Sequence, residues 1–136
     1  MSTPSEVYDA VKAAIVATSV TKAHAGDTLA HYEGPLEEMP LRDRTFVLQS
    51  AALDRVTERM GCQEWTLELD VAVVYQLTKG ANARALIDAQ AISDVVVGLI
   101  GQTGITVVEE LPTSIDISER FITTALGYLV SFSEGG

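Results

Sequence analysis

The stretch WTLELDVAVVYQL, residues Trp65 to Leu77, decides the fold of this 136-residue chain. Its largest apolar side chains occupy the odd positions, while the even positions hold mostly polar or small residues. This period-two alternation is typical of an antiparallel strand that buries one face. At ~3.3 Å per residue the stretch would extend roughly 43 Å, whereas an average strand has about 5–6 residues. We therefore expect the strand either to bend strongly or to extend beyond its own sheet toward a neighbouring molecule.

Composition indicates one globular domain over residues 1–136. Hydrophobic residues make up 47 % of the chain and charged residues 21 %, which argues against disorder and allows a core that needs no cross-links. Only 6 % of the residues are aromatic, so the core is expected to be aliphatic. The single cysteine, Cys62, excludes an internal disulfide and favours a reducing compartment.

The charge balance excludes one large class of function. The net charge is −10, which is unsuited to binding nucleic acid by neutralising its phosphates. An acidic surface would instead repel DNA, as in a channel through which DNA slides, or would serve solubility alone. The N-terminus lacks signal-peptide features and no apolar run reaches the ~20 residues that span a bilayer, so we expect a protein made in the cytoplasm.

The N-terminal part predicts one helix followed by irregular chain. Thr3 and Glu6 form a capping box around Pro4, and apolar residues at helical spacing follow, so a helix is expected from Pro4 to Thr18. Ser19–His24 is a candidate short strand. Ala25–Arg44 contains two glycines and two prolines and is expected to be a long loop. Such a loop either docks on a partner or folds back over its own sheet.

The segment before the central stretch predicts a hairpin. Thr45–Ser50 is rich in β-forming residues and is expected to pair with Trp65–Leu77. The intervening Ala51–Glu64 could form a short helix that ends at Gly61, but a strand–loop–strand excursion is the favoured interpretation.

The C-terminal half predicts a second helix and three strands. The helix is expected over Ala83–Ile100, with Asn82 as its cap and a core stripe of Leu86, Ala89, Ile92, Val96 and Leu99 or Ile100. Short strands are expected at Ile105–Glu110 and Ile115–Ile117, separated by a break at Leu111–Thr113. A long strand over Arg120–Ser133 should lie beside the central one, and residues 133–136 should fray.

These elements predict an α+β fold. We expect a mostly antiparallel sheet of four to five strands, two helices packed on one face, and a long loop in the N-terminal half.

A search for catalytic chemistry yields no strong motif. The sequence contains neither a phosphate-binding glycine loop nor a hydrolase or zinc-protease signature. His24, Asp27, His31 and Glu33 have metal-binding side chains, but their spacing in an irregular loop does not fix ligand directions. Cys62 has no histidine near it in the sequence. We predict no enzymatic activity, no catalytic or metal site and no cofactor.

The better candidates are contact residues for another subunit or a partner. Glu68 and Asp70 lie on the polar face of the central strand, where they meet either water or the basic residues of another molecule. The proposed contact set combines these two carboxylates with arginines and with apolar loop residues: Leu36, Met39, Arg42, Arg44, Arg55, Arg59, Glu68 and Asp70. Trp65 is expected to pack in the core.

The order of elements resembles a known family. A capped helix and an irregular loop precede the motif R-x-F-x-L-Q, here Arg44–Gln49, and then the strand W-x-L-x-L-x-V-x-V-x-Y, here Trp65–Tyr75. A helix of about eighteen residues follows, and a long strand with Tyr128 and Phe132 ends the chain. This layout resembles, over nearly the whole chain, the tail terminator proteins of long-tailed bacteriophages, the lambda-like minor tail and tail-completion group.

The resemblance implies a structural virion protein. Its subunits would form a ring, expected to be a hexamer, at the head-proximal end of the tail. The ring would cap the tail tube, stop its polymerisation and provide the head-joining surface. Its partners would be copies of itself, the tail tube protein, a head-completion or neck protein, and genomic DNA passing through without sequence recognition; no membrane is involved. Alternatives are another neck component, such as a stopper or adaptor, and a small cytosolic ligand-binding module.

Overall fold

A computed structural model describes residues 3–17, 29–34, 38, 44–59, 62–102 and 104–135, with side chains for all of these except residues 30, 56–59, 62, 63, 134 and 135. These residues form two helices and five strands, in the order α1 (Pro4–Ala17), β1 (Ala30–His31), β2 (Thr45–Arg59), β3 (Cys62–Gln76), α2 (Ala81–Val97), β4 (Ile105–Ile117) and β5 (Phe121–Gly135). The predicted α+β class, a mostly antiparallel sheet with two helices, is confirmed.

The sheet is built around the strand that the sequence singled out. Its spatial order is β1-β2-β3-β5-β4, so β3 is the central strand. β2 and β5 each pair with β3 in antiparallel fashion, whereas β1 pairs with β2 in parallel over two residues. The predicted hairpin is confirmed, because Thr45 pairs with Val74. The long C-terminal strand also lies beside the central one, as predicted.

Alternation along the strands gives the sheet two different faces. We call the face that packs against both helices the helix face. It carries the odd residues of β3 and the even residues of β5, including Val71 and Tyr128, and these join the buried residues of α1 and α2 in one core. The opposite, helix-free face carries the even residues of β3, and no helix among the described residues covers it.

The first helix follows the prediction closely. The Thr3 hydroxyl accepts a hydrogen bond from the Glu6 backbone N–H, and the Glu6 carboxylate accepts one from the Thr3 N–H, each at 3.2 Å. This reciprocal pair is the capping box that the sequence indicated. The helix buries Val7, Val11 and Ile15 on its sheet-facing side. The predicted last residue, Thr18, lies outside the described residues.

The second helix differs from the prediction in its boundaries and its buried face. It begins at Ala81 rather than Ala83, and its N-cap is Gly80, with φ 86° and no side-chain cap, so Asn82 does not cap it. It ends at Val97, three residues before the predicted end. Leu86 was expected in the core but is 59 % exposed. Ile92 and Val96 are buried as predicted, and Ala89 and Leu99 pack against the core. The buried residues that were not predicted are Ala81, Ala85 and Asp88.

The strands are longer than predicted. β2 continues through Arg59 and β3 begins at Cys62, so the hairpin is confirmed and the short-helix alternative for Ala51–Glu64 is wrong. The described residues of that segment extend the two strands and do not form the predicted loop. The two short strands around Pro112 are one strand, β4, with a register irregularity between Leu111 and Ser114. The frayed tail predicted for 133–136 is wrong over residues 133–135, because Gly135 still pairs with Cys62 in the ladder.

Several predictions concern parts of the chain beyond this description. The candidate strand Ser19–His24 and most of the loop Ala25–Arg44 lie outside the described residues. Within that loop, β1 pairs with the start of β2. Neither described helix has the length and apolar character that crossing a membrane requires.

Candidate interaction surface

The structure places only part of the predicted contact set on the surface. Leu36, Met39 and Arg42 lie outside the described residues. Arg59 ends β2, opposite Cys62, and its side chain is outside the description. The remaining members are Arg44, Arg55, Glu68 and Asp70.

Arg44 is not a surface residue, and its assignment to a contact surface was wrong. Its side chain is 4 % exposed and forms a two-pronged ion pair with Asp88 of α2, which is fully buried. The Arg44 Nη2–Asp88 Oδ1 distance is 3.0 Å, and the Nε–Oδ2 distance is 3.2 Å. Parallel N–H donors matched to both carboxylate oxygens are the strongest arrangement that such a pair adopts.

A third group completes this buried cluster. The Tyr75 hydroxyl donates a hydrogen bond to Asp88 Oδ2 at 2.9 Å. Arg44 itself has a left-handed backbone, with φ 61°, and its N–H donates to the Val74 carbonyl at 2.7 Å. The cluster therefore joins the entry of β2, the end of β3 and the middle of α2, and its burial gives it a structural role.

Glu68 and Asp70 lie on the helix-free face, as the alternation predicted. Glu68 is half-buried and Asp70 is exposed. The strand register places four further carboxylates on the same face, so that the full set is Asp54, Glu64, Glu68, Asp70, Glu109 and Asp116. No lysine or arginine with a described side chain lies among these strand positions on that face. The helix-free face is therefore strongly acidic.

Arg55 lies on the helix face, opposite Trp65 and near the turn that joins β2 to β3. Its guanidinium carbon is 5.2 Å from the centre of the Trp65 ring, in cation–π geometry. Trp65 is partly buried against the core, consistent with its predicted packing role. The exposed arginine therefore covers the outer end of the core and remains open to contact from outside.

Several grooves lie along the sheet among the described residues. One, of about 520 Å³, lies between the first turn of α1 and β2 and is lined by Pro4, Ser5, Tyr8, Ser50, Ala51, Ala52, Leu53 and Leu67. Another, of about 290 Å³, extends across β3 and β5 from β2 to β4 and includes Asp70, Leu111 and Gly127 in its lining. At Gly127 an added Cβ would lie 3.0 Å from Leu111 Cδ1, so the glycine leaves room for the Leu111 side chain against β5.

The residues with metal-binding side chains do not form a recognisable metal centre in the part of the chain that is described. No group of three or more His, Cys, Asp or Glu side chains gathers there. His31 Nδ1 lies 3.7 Å from Glu33 Oε1, and the Lys12 ammonium lies 3.1 Å from the same oxygen. Desolvation lowers the pKa of His31. His24 and Asp27 lie outside the described residues, and so does the side chain of Cys62.

One buried tyrosine has a strongly shifted pKa. The Tyr128 hydroxyl lies 2.8 Å from Ser93 Oγ, which links β5 to α2. Burial raises the pKa of Tyr128 to about 12. Because the phenolate is disfavoured in the folded state, the stabilisation is complete below pH ~10 and is lost as the pH rises toward 12.

We therefore expect the wild-type protein to lose unfolding free energy steeply between pH ~10 and 12. The Tyr128→Phe variant should lose less over that range, and its absorbance titration at alkaline pH should lack one late-titrating phenol. Urea unfolding at several pH values measures the first effect. Identical pH dependence in the two proteins would show that Tyr128 ionises like an exposed tyrosine. Tyr32→Phe serves as the control.

Comparison with protein-family models and with curated proteins finds no match for this chain.

Proposed function

We propose that this protein is a structural virion subunit. Copies of it form a ring, expected to be a hexamer, that caps the tail tube of a long-tailed bacteriophage and stops its polymerisation. The ring also offers the surface that joins the head, and genomic DNA passes through its centre. It would act at the head-proximal end of the tail, after assembly in the host cytoplasm, and it would need no cofactor.

The observation that carries this proposal is the incomplete covering of a long sheet. Strands β2, β3 and β5 each contain 15 residues, and helices pack on one face only. An antiparallel sheet often leaves one face in water, but globular domains usually keep edge strands short or protected. A subunit that leaves one face and much of both edges uncovered by its own described elements is suited to contact with other copies and with a tube.

The acidic helix-free face supports the same proposal. Six carboxylates from three strands, β2, β3 and β4, lie on it by register. If this face lines the ring, the negative charge would keep DNA from adhering while it moves through. The interfaces within the ring would be heterologous and would close by rotation, leaving distinct surfaces for tube and head.

Electron microscopy of the purified protein tests the proposal directly. We expect closed rings with a central opening. When tail tube protein is added, we expect tubes that carry a ring at one end and stop growing there. Monomers at all concentrations, with or without tube protein, would contradict the ring. A ring that binds a head-completion or neck protein but leaves tube growth unchanged would favour the stopper or adaptor alternative. A monomer that binds a small ligand in the groove beside α1 would favour the cytosolic module.

We expect the double charge reversal Glu68→Lys and Asp70→Lys to disturb ring assembly more than folding. Both side chains reach the helix-free face and neither belongs to the core cluster, so the thermal midpoint should move little. Light scattering and circular dichroism measure the two effects separately. A matched control is the reversal of Asp94, an exposed carboxylate on α2. Normal assembly of the Glu68 and Asp70 variant would show that this face takes no part in the contacts between subunits.

A further inference from the structure

The two edges of the sheet have complementary features. β4 is the last strand in the order and, among the described strands, pairs only with β5. Its register irregularity at Pro112 and Thr113 leaves Ser114–Ile117 as a regular segment. A proline within a strand is tolerated at an edge, where the missing N–H faces outward. Along Ser114–Ile117, then, the outer side of β4 can accept another strand.

This segment carries exposed aliphatic side chains on the helix face. Ile115 pairs with Thr124 and Ile117 with Ile122, both of which are helix-face residues. Ile117 is nevertheless 58 % exposed and Ile115 47 %. The exposed surface of two isoleucines beside an open strand edge is an apolar surface that association would bury.

The opposite edge of the sheet offers a groove of matching character. β1 pairs with β2 only at Thr45 and Phe46, and the Tyr8 hydroxyl donates to the Leu48 carbonyl at 2.7 Å. Beyond Leu48, no described strand pairs with the outer side of β2. The groove of about 520 Å³ lies here, between the first turn of α1 and β2. Leu53, 45 % exposed, and Leu67, buried, supply its apolar lining.

Strand direction allows the two edges to meet. β2 and β3, β3 and β5, and β5 and β4 are all antiparallel neighbours, so β4 runs opposite to β2. Placing β4 of one copy beside β2 of the next, with both helix faces on the same side, gives an antiparallel pair. In this arrangement Ile115 and Ile117 face the groove beside α1. Because the strands are antiparallel, Glu110 then approaches the part of β2 that carries Arg55, and both residues lie on the helix face.

We propose that Ser114–Ile117 of β4 adds to the edge of β2 in a second copy of this chain, along Ser50–Asp54, and inserts Ile115 and Ile117 into the groove beside α1. The sheet then continues from one subunit to the next, by the strand-addition mode of recognition. The interface uses two different surfaces of the subunit, as a closed ring requires. This inference rests on the proposed function and names the contact that would close its ring.

The Ile117→Asp variant tests the interface against a matched control on the same strand. Val107, 52 % exposed, belongs to the same strand but pairs with Ser131 on the helix-free face. At a concentration where wild-type protein is fully assembled, Ile117→Asp should sediment as a monomer and Val107→Asp as a ring. Both should keep the wild-type circular dichroism spectrum and thermal midpoint, because neither residue is buried.

Charge exchange provides a second measurement. Arg55→Glu and Glu110→Arg should each weaken association roughly tenfold, and the double exchange should restore most of the loss. A ring that Ile117→Asp leaves intact would overturn this interface while the proposed function stands. Wild-type protein that forms no ring, alone or with tube protein, would overturn both. Single charge variants that assemble like wild type would exclude the Arg55–Glu110 contact and with it this register.

Discussion

The Asp88→Leu variant is expected to lose about 3–5 kcal/mol of unfolding free energy, because it leaves the Arg44 guanidinium buried without its carboxylate. The Tyr75 hydroxyl loses its acceptor in the same substitution. Since marginal stability is about 5–15 kcal/mol for a domain, this loss is a large share of the whole. Urea unfolding followed by circular dichroism measures the change.

Two further variants show whether the loss comes from the unpaired charge. Asp94→Leu removes an exposed carboxylate from the same helix, where it accepts a hydrogen bond from Gln90, and should cost about 1 kcal/mol or less. The double variant Arg44→Met with Asp88→Leu should recover most of the lost stability, because replacing a buried pair by apolar side chains is often close to neutral. A double variant as unstable as Asp88→Leu alone would mean that packing, not charge, dominates at this position.

This cluster also explains the error in the first half of the second helix, where Leu86 was assigned to the core. Apolar periodicity assigned Leu86 to the core, but the structure buries Asp88 and two alanines instead. Any hydrophobic pattern assigns an aspartate to the surface. The partner that allows Asp88 to be buried, Arg44, lies 44 residues away in the sequence, so no local pattern reveals the pair. In this half of the helix the local signal is the pair of small residues Ala81 and Ala85, which allow a helix to approach a sheet closely.

The strands were predicted better than the helix because their signal is local. Alternation over Trp65–Leu77 identified the central strand, its buried face and its hairpin partner, all of which the structure contains. The alternation is weaker where register shifts interrupt it. Such shifts occur between Ser50 and Ala52 in β2 and between Leu111 and Ser114 in β4, where the prediction ended one strand early and divided another.

The candidate surface was predictable only in part for a related reason. The position of Glu68 and Asp70 on a polar face follows from period-two alternation alone. Glu109 and Asp116 share that face but belong to β4, which is separated from β3 by β5. The order in which strands pair is not encoded in any local pattern, so these two residues could not be assigned to the face from the sequence. The groove beside α1 likewise depends on the docking of Tyr8 against β2.

The Val71→Asp variant is expected to unfold the subunit. Val71 is 1 % exposed on the helix face of the central strand, between Leu48 of β2 and Leu126 of β5. An aspartate there would be buried as an unpaired charge or as a protonated acid without a partner, and either form costs several kcal/mol on top of the lost packing. We expect loss of the cooperative thermal transition and insoluble or protease-sensitive protein.

The matched control is Ala125→Asp on the adjacent strand β5. Ala125 is exposed and lies on the helix-free face, so an aspartate there stays in water and should change the unfolding free energy by about 0.5 kcal/mol or less. The contrast between the two variants depends only on which face of the sheet receives the charge. A folded, soluble Val71→Asp protein would show that the core lies on the other side of the sheet. It would also overturn the distinction between the helix face and the acidic face, on which the proposed ring depends.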